Sequence, residues 1–173
     1  MEMEKRTLVY GLWRGPVGYL GLVSDNTRLL EIVSAFSPVE VHERIARAYP
    51  PASALDADVI VEARQQLDDF FSGRRRQFDL PLDLAQLSPF TAKVLRILAQ
   101  VPYGTTLTYG ELATLAGSPQ AARAVGRAMA VNPFPIIIPC HRVIGAGGKM
   151  TGYSGGEGIA TKKWLLHFEA ENR

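Results

Sequence analysis

Apolar residues in the first third of the chain come in short runs. Residues 7–13, 18–23 and 28–33 are rich in Val, Leu and Tyr, and Gly15, Pro16 and the triplet Ser24, Asp25, Asn26 punctuate them. This pattern predicts an antiparallel meander of three strands joined by tight turns. The period then changes. Over 38–48, Val41, Ile45 and Ala48 fall on one helical face, and over 59–71 so do Val59, Ala63, Leu67, Phe70 and Phe71. Pro50 and Pro51 separate the two helices, and Gly73 ends the second. Arg74, Arg75 and Arg76 follow, where the helix dipole favours positive charge. They read first as a solvated helix terminus and second as a phosphate contact.

Residues 78–87 have a linker-like composition. Three parts are expected: a domain over 1–80, a linker over 81–87 and a second domain over 88–173. Ser88 and Pro89 open a helix as N-cap and first-turn proline, with Phe90, Val94, Ile97, Leu98 and Val101 on its apolar face. A helix-turn-helix pattern follows. Thr108 caps a helix over 109–116, with Glu111 placed to complete a capping box. Gly117, Ser118 and Pro119 form the turn, and 120–131 is the second helix. That helix carries Ala121, Val125, Ala128 and Met129 on one face. The other face holds Ala122, Arg123, Gly126, Arg127 and Ala130. Small residues allow close approach and the arginines add charge, which suits contact with nucleic acid. Residues 136–138, three isoleucines, read as a short buried strand.

Composition narrows the class. Of 173 residues, 47% are hydrophobic and 21% charged, ordinary for a globular chain and unlike a disordered one. No apolar run approaches the roughly 20 residues needed to cross a bilayer. The alternating charges of the first six residues do not resemble a secretory signal. A single cysteine excludes an internal disulfide and a multi-thiolate zinc site, so the expected location is cytoplasmic, or nuclear in a eukaryote. The net charge of +2 conceals an asymmetry. Residues 1–86 carry 10 Lys and Arg against 13 Asp and Glu, a net of −3; residues 87–173 carry 9 against 4, a net of +5. No acidic residue lies between Glu111 and Glu157. Such a stretch suits a polyanion, or is simply a mildly basic solvated face.

The cysteine is the chemical centre. Cys140 stands between Pro139 and His141, with Arg142 next. A lone cysteine is often an inert core residue. Flanking His and Arg, in a region without acids, are expected instead to favour the thiolate, the nucleophilic form. His141 is the natural base, but adjacent side chains on a strand point apart, so contact requires a turn or a bridging water. These residues do not say which group orients the imidazole. The glycine-rich stretch 145–158 fails the phosphate-loop pattern, because Gly148 and Lys149 are followed by Met150. It reads as a pocket loop.

The run Ile138, Pro139, Cys140, His141, Arg142, Val143 resembles the active-site motif of the O6-alkylguanine-DNA alkyltransferases. The resemblance extends nearly end to end. It includes residues 66–73 and 78–82, then 108–113, 121–126, Asn132 with Pro133, 152–156, and 163–166 with Glu169. It implies an α/β N-terminal domain, ribonuclease-H-like, with an antiparallel sheet and helices. It also implies a mainly α C-terminal domain containing the helix-turn-helix. The implied activity is single-turnover transfer of an alkyl group from O6 of guanine, and from O4 of thymine, in double-stranded DNA onto Cys140 after the base is flipped out. By the same resemblance His141 is the base acting through water, and Glu169 orients it. Asn132 ties the helix-turn-helix to the active-site loop. Tyr109 packs at the pocket, helps rotate the phosphate and donates a proton to the purine. Arg123 enters the duplex, with Ala122, Gly126 and Arg127 also against DNA. Tyr153, Ser154, Val143 and Pro135 bind the base. No metal, cofactor or membrane is expected, and the protein is expected to act as a monomer. The zinc ligands that some relatives carry in the first domain are missing, since that half holds only His42 and no cysteine. Three rivals are weighed: a damage-sensing DNA-binding module, a cysteine hydrolase and a helix-turn-helix transcription factor. Cys140 in an intact motif opposes the first, nothing marks an oxyanion hole for the second, and no dimerisation segment supports the third.

Overall fold

The computed structural model describes residues 7–173, so the reading of the first six residues lies outside the described ones. The chain divides into two units, Met1–Asp83 and Leu84–Arg173. In the first, β1 (Val9–Gly15), β2 (Gly18–Ser24) and β3 (Leu29–Ala35) form the expected meander, with β1 antiparallel to β2 and β2 antiparallel to β3. Helix α1 (Pro38–Ala48) follows, then a two-residue strand β4 (Ser53–Ala54) and α2 (Asp58–Phe71). β4 adds a parallel edge to β1 that no sequence pattern announced, giving the order β3-β2-β1-β4.

Each face of this sheet carries one helix, and a glycine lets each helix approach. A Cβ on Gly11 would meet Ile60 and Arg64 of α2, while one on Gly21 would meet Val41 and Ile45 of α1. Leu12 pairs with Gly21 and Gly11 with Leu22, so the two glycines point to opposite faces. Val23, Val33, Ala35, Val41 and Ile45 fill the α1 side. On the other side Trp13 stacks on Phe71 and donates to Asp68 at 2.8 Å. Arg74, past the end of α2, pairs with Asp69 at 2.8 Å. Residues 81–83, expected as linker, instead belong to the first unit. Leu29 N–H donates to the Pro81 carbonyl and Asp83 N–H to the Leu29 carbonyl, because the edge strand β3 has backbone groups to satisfy.

The second unit is mainly helical. Helix α3 (Pro89–Leu98) starts at Ser88, whose side chain accepts from Thr91 N–H. Strand β5 (Leu107–Thr108) leads into α4 (Tyr109–Leu115), and the Thr108–Glu111 capping box is complete in both directions. Gly117, at φ +77°, allows the turn: its N–H donates to Thr114 and that of Ser118 to Ala113, the paired bonds of a Schellman C-cap. Helix α5 (Ala122–Ala130) is shorter than the predicted 120–131. It buries Val125, Ala128 and Met129 as predicted. Strand β6 (Val143–Ile144) pairs parallel with β5, and α6 (Ile159–Glu171) closes the chain.

The predicted strand at 136–138 is absent. Its isoleucines are buried, but the backbone turns, with Ile136 at φ +75°. Prolines at 135 and 139 remove two ladder donors. The remaining polar groups find local partners: Ile138 N–H donates to the Phe134 carbonyl at 2.8 Å, and the Ile138 carbonyl accepts from Asn132.

Candidate active site

Cys140 opens a one-turn 3-10 helix, Cys140–Arg142, so the segment turns here and does not run on as a strand. The β5–β6 pairing, Leu107 with Val143 and Thr108 with Ile144, brings this segment beside the start of α4. Asn132 holds it from the other side. Its Nδ2 donates to the Ile138 carbonyl at 3.0 Å, and its Oδ1 accepts from Phe134 N–H at 3.0 Å.

A pocket of about 290 Å³ lies over the thiol. Cys140, Tyr109, Tyr153 and Ser154 line it, and α5 contributes Gly126, Met129 and Ala130. The helix that carries exposed Arg123 and Arg127 thus also forms a wall of the cysteine pocket. Ala122 is half-buried on the same helix. Val143 and Pro135, expected against the base, are not among the lining residues. Val143 is fully buried, with its carbonyl taken by Lys162. Pro135 turns into the bridge with Ile138.

Behind the cysteine lies a buried charge network. His141 and Glu169 are wholly inaccessible, and His141 Nε2 lies 2.6 Å from Glu169 Oε1. Arg142 does not face the thiol. Its guanidinium grips Glu169 through Nε and Nη2, at 2.9–3.1 Å, and donates from Nη1 to the Val101 carbonyl. Gly104 N–H completes the carboxylate's set at 3.0 Å. Burial pushes Glu169 up, but the hydrogen bonds from His141 and Arg142 outweigh it and hold the carboxyl at about 2. Burial likewise pushes His141 below its ordinary value, against the pull of Glu169. An ionised Glu169 and a neutral imidazole fix the tautomer: Nε2 carries the proton and Nδ1 is the free acceptor. Nδ1 is buried and makes no hydrogen bond to the protein.

The expectation that flanking His and Arg favour the thiolate is corrected. Burial raises the Cys140 thiol above its ordinary value, and a hydrogen bond from Asn132 and the charge of Lys162 offset only part of that. The compensating cation was missed. Lys162 is fully buried in α6, and its Nζ donates to the carbonyls of Val143 and Thr151. Its spacing to Leu165 and Glu169 puts all three on one helical face, and that periodicity was the available signal.

Residues 8–84 match the 6-O-methylguanine DNA methyltransferase, ribonuclease-like domain, and residues 89–171 match the DNA binding domain of the same family. The chain belongs to the 6-O-methylguanine DNA methyltransferase family. It is similar to a methylated-DNA--protein-cysteine methyltransferase of Mycobacterium bovis, with 42% identity covering 89% of this chain and 87% of that one. A protein of the same name from Methanosarcina acetivorans is 37% identical, covering 94% and 98%. The crystal structure of Mycobacterium tuberculosis OGT in complex with DNA superposes with a TM-score of 0.79 at 38% identity, covering 95% of this chain and 94% of that one. The α/β first unit and helical second unit are the fold of this family.

Proposed function

We propose that this protein repairs O6-alkylguanine in double-stranded DNA by moving the alkyl group onto Cys140, once per molecule. The observation that carries this reading is that Gly126 and Ala130, from the arginine-bearing face of α5, line one pocket with the thiol. An alkylated oxygen inside a stacked duplex is out of reach, so the base must be extruded, at a cost of a few kcal/mol. Arg123 fills the space left in the stack. Ala122, Gly126 and Arg127 lie against the DNA, in a minor groove only about 6 Å wide. Tyr153 and Ser154 hold the extruded base. O4-alkylthymine, also a base carrying its alkyl group on an exocyclic oxygen, is a further substrate.

The charge network supports a relay. Cys140 passes its proton through a water to His141 Nδ1, and Glu169 stabilises the imidazolium that forms. The sulfur attacks the alkyl carbon, a carbon–sulfur bond forms and the carbon–O6 bond breaks. The electron pair of that bond goes to the purine, and Tyr109 supplies the proton that the purine takes up. Asn132 couples α5 to the cysteine turn. No metal or small-molecule cofactor takes part, and every group named comes from one chain, as a monomer requires. The free thiol suits the cytoplasm, or the nucleus if the source is a eukaryote. Among the described residues no helix is long and apolar enough to cross a membrane.

Mass spectrometry after incubation with a duplex containing O6-methylguanine tests this. One added methyl is expected on Cys140. Cys140→Ala should take none while keeping duplex affinity within a few-fold. A methyl found elsewhere, or on no residue, overturns the reading.

A further inference from the structure

The hydroxyl of Thr151 donates to the phenol oxygen of Tyr109 at 3.1 Å, across 42 positions of sequence. Both ends of this contact are held independently. Tyr109 begins α4 directly after the Thr108 capping box. The Thr151 carbonyl accepts from the Lys162 ammonium at 2.9 Å, and the same ammonium donates to the Val143 carbonyl, just past the cysteine turn. A buried cation therefore fixes the backbone of Thr151 relative to the segment that carries Cys140.

A phenol can accept a hydrogen bond at its oxygen and still donate its own proton. When Thr151 donates, the Tyr109 O–H is left for another acceptor, and Tyr109 lines the cysteine pocket. We propose that Thr151 is a positioning residue, whose hydroxyl aims the Tyr109 O–H into the pocket toward the departing purine. The proposal rests on the proton-donor role given to Tyr109 above. It makes the loop 145–158 part of the chemistry through one side chain as well as a wall of the pocket.

The test is a double-mutant cycle on single-turnover transfer from O6-methylguanine duplex, with duplex affinity measured in parallel. Thr151→Val removes the hydroxyl and keeps the shape. It should slow transfer about threefold to tenfold, the worth of one net hydrogen bond, and leave affinity unchanged. Thr151→Ser should restore the rate. In a Tyr109→Phe background, itself slow, Thr151→Val should cost nothing more, since no phenol remains to be aimed. A wild-type rate for Thr151→Val beside a slow Tyr109→Phe overturns the role of Thr151 and leaves that of Tyr109. An equal loss in both backgrounds, or no rescue by serine, also overturns it. A wild-type rate for Tyr109→Phe removes the proton donor itself, and with it both readings.

Discussion

Glu169 concentrates a histidine, an arginine and a backbone amide on one buried carboxylate. Its acid-range consequence has a definite sign. The folded state holds Glu169 at about 2 against an ordinary 4.5, so only the unfolded chain takes up a proton between those values. The stabilisation is complete above about pH 4.5 and is lost as pH falls toward 2. His141, held below its ordinary 6.5 by burial, acts in the same direction from that pH downward. Breaking a buried pair costs about 3–5 kcal/mol, so Glu169→Gln should be markedly less stable at neutral pH. The gap to the natural protein in urea unfolding should narrow as pH drops from 5 to 3; a constant gap would show that the ionised carboxylate is not what stabilises. Cys140 and His141 could be singled out together from the sequence because they are adjacent in it. Glu169, 28 residues further on, could be named only by resemblance, because spacing along a chain carries no distance in space. Lys162 was missed for a different reason: lysine is almost never fully buried.

Helices α3 and α4 were the most legible elements, because local chemistry announces their ends. The Thr108–Glu111 box, the proline after Ser88 and the glycine at 117 are chemical signals within one turn of the boundary they set. The isoleucine run at 136–138 shows the converse. Its apolar character correctly implied burial, but a strand needs a partner at hydrogen-bonding distance, and that is a property of the whole fold. β4 and β6, two residues each, exist only through such partners. In the proposed function helix α5 is the element on which recognition and chemistry meet, and Arg123 on it separates the two. Arg123→Ala should slow repair of duplex DNA far more than reaction with free O6-benzylguanine, because only the duplex requires the base to be extruded. Rates measured on both substrates decide it. Equal losses would assign Arg123 to the pocket.

At the scale of the molecule, the net of +5 over residues 87–173 against −3 over 1–86 places the polyanion-facing character in the half that holds the cysteine. The chemistry of that cysteine sets the protein's lifetime. The product is an S-alkylcysteine thioether, with no acidic proton and no good leaving group, so a thiol cannot displace it as it would a disulfide. The chain has no second cysteine to take the group onward. The added alkyl group also extends a nearly buried residue at the wall of the pocket. Cys140 is 6% exposed, in a turn held by Asn132 through the Ile138 carbonyl and by Lys162 through the Val143 carbonyl. Overpacking a close-packed site typically costs about 1–3 kcal/mol, and the buried side of Cys140 has little room to yield. The alkylated protein should therefore melt lower than the free one, and benzyl should lower it more than methyl. Titration with excess O6-alkylguanine duplex should plateau near one alkyl group per chain, with calorimetry on the product reporting the drop in Tm. Transfer continuing past that plateau would show turnover, and an unchanged Tm after benzylation would show that the pocket absorbs the group without strain.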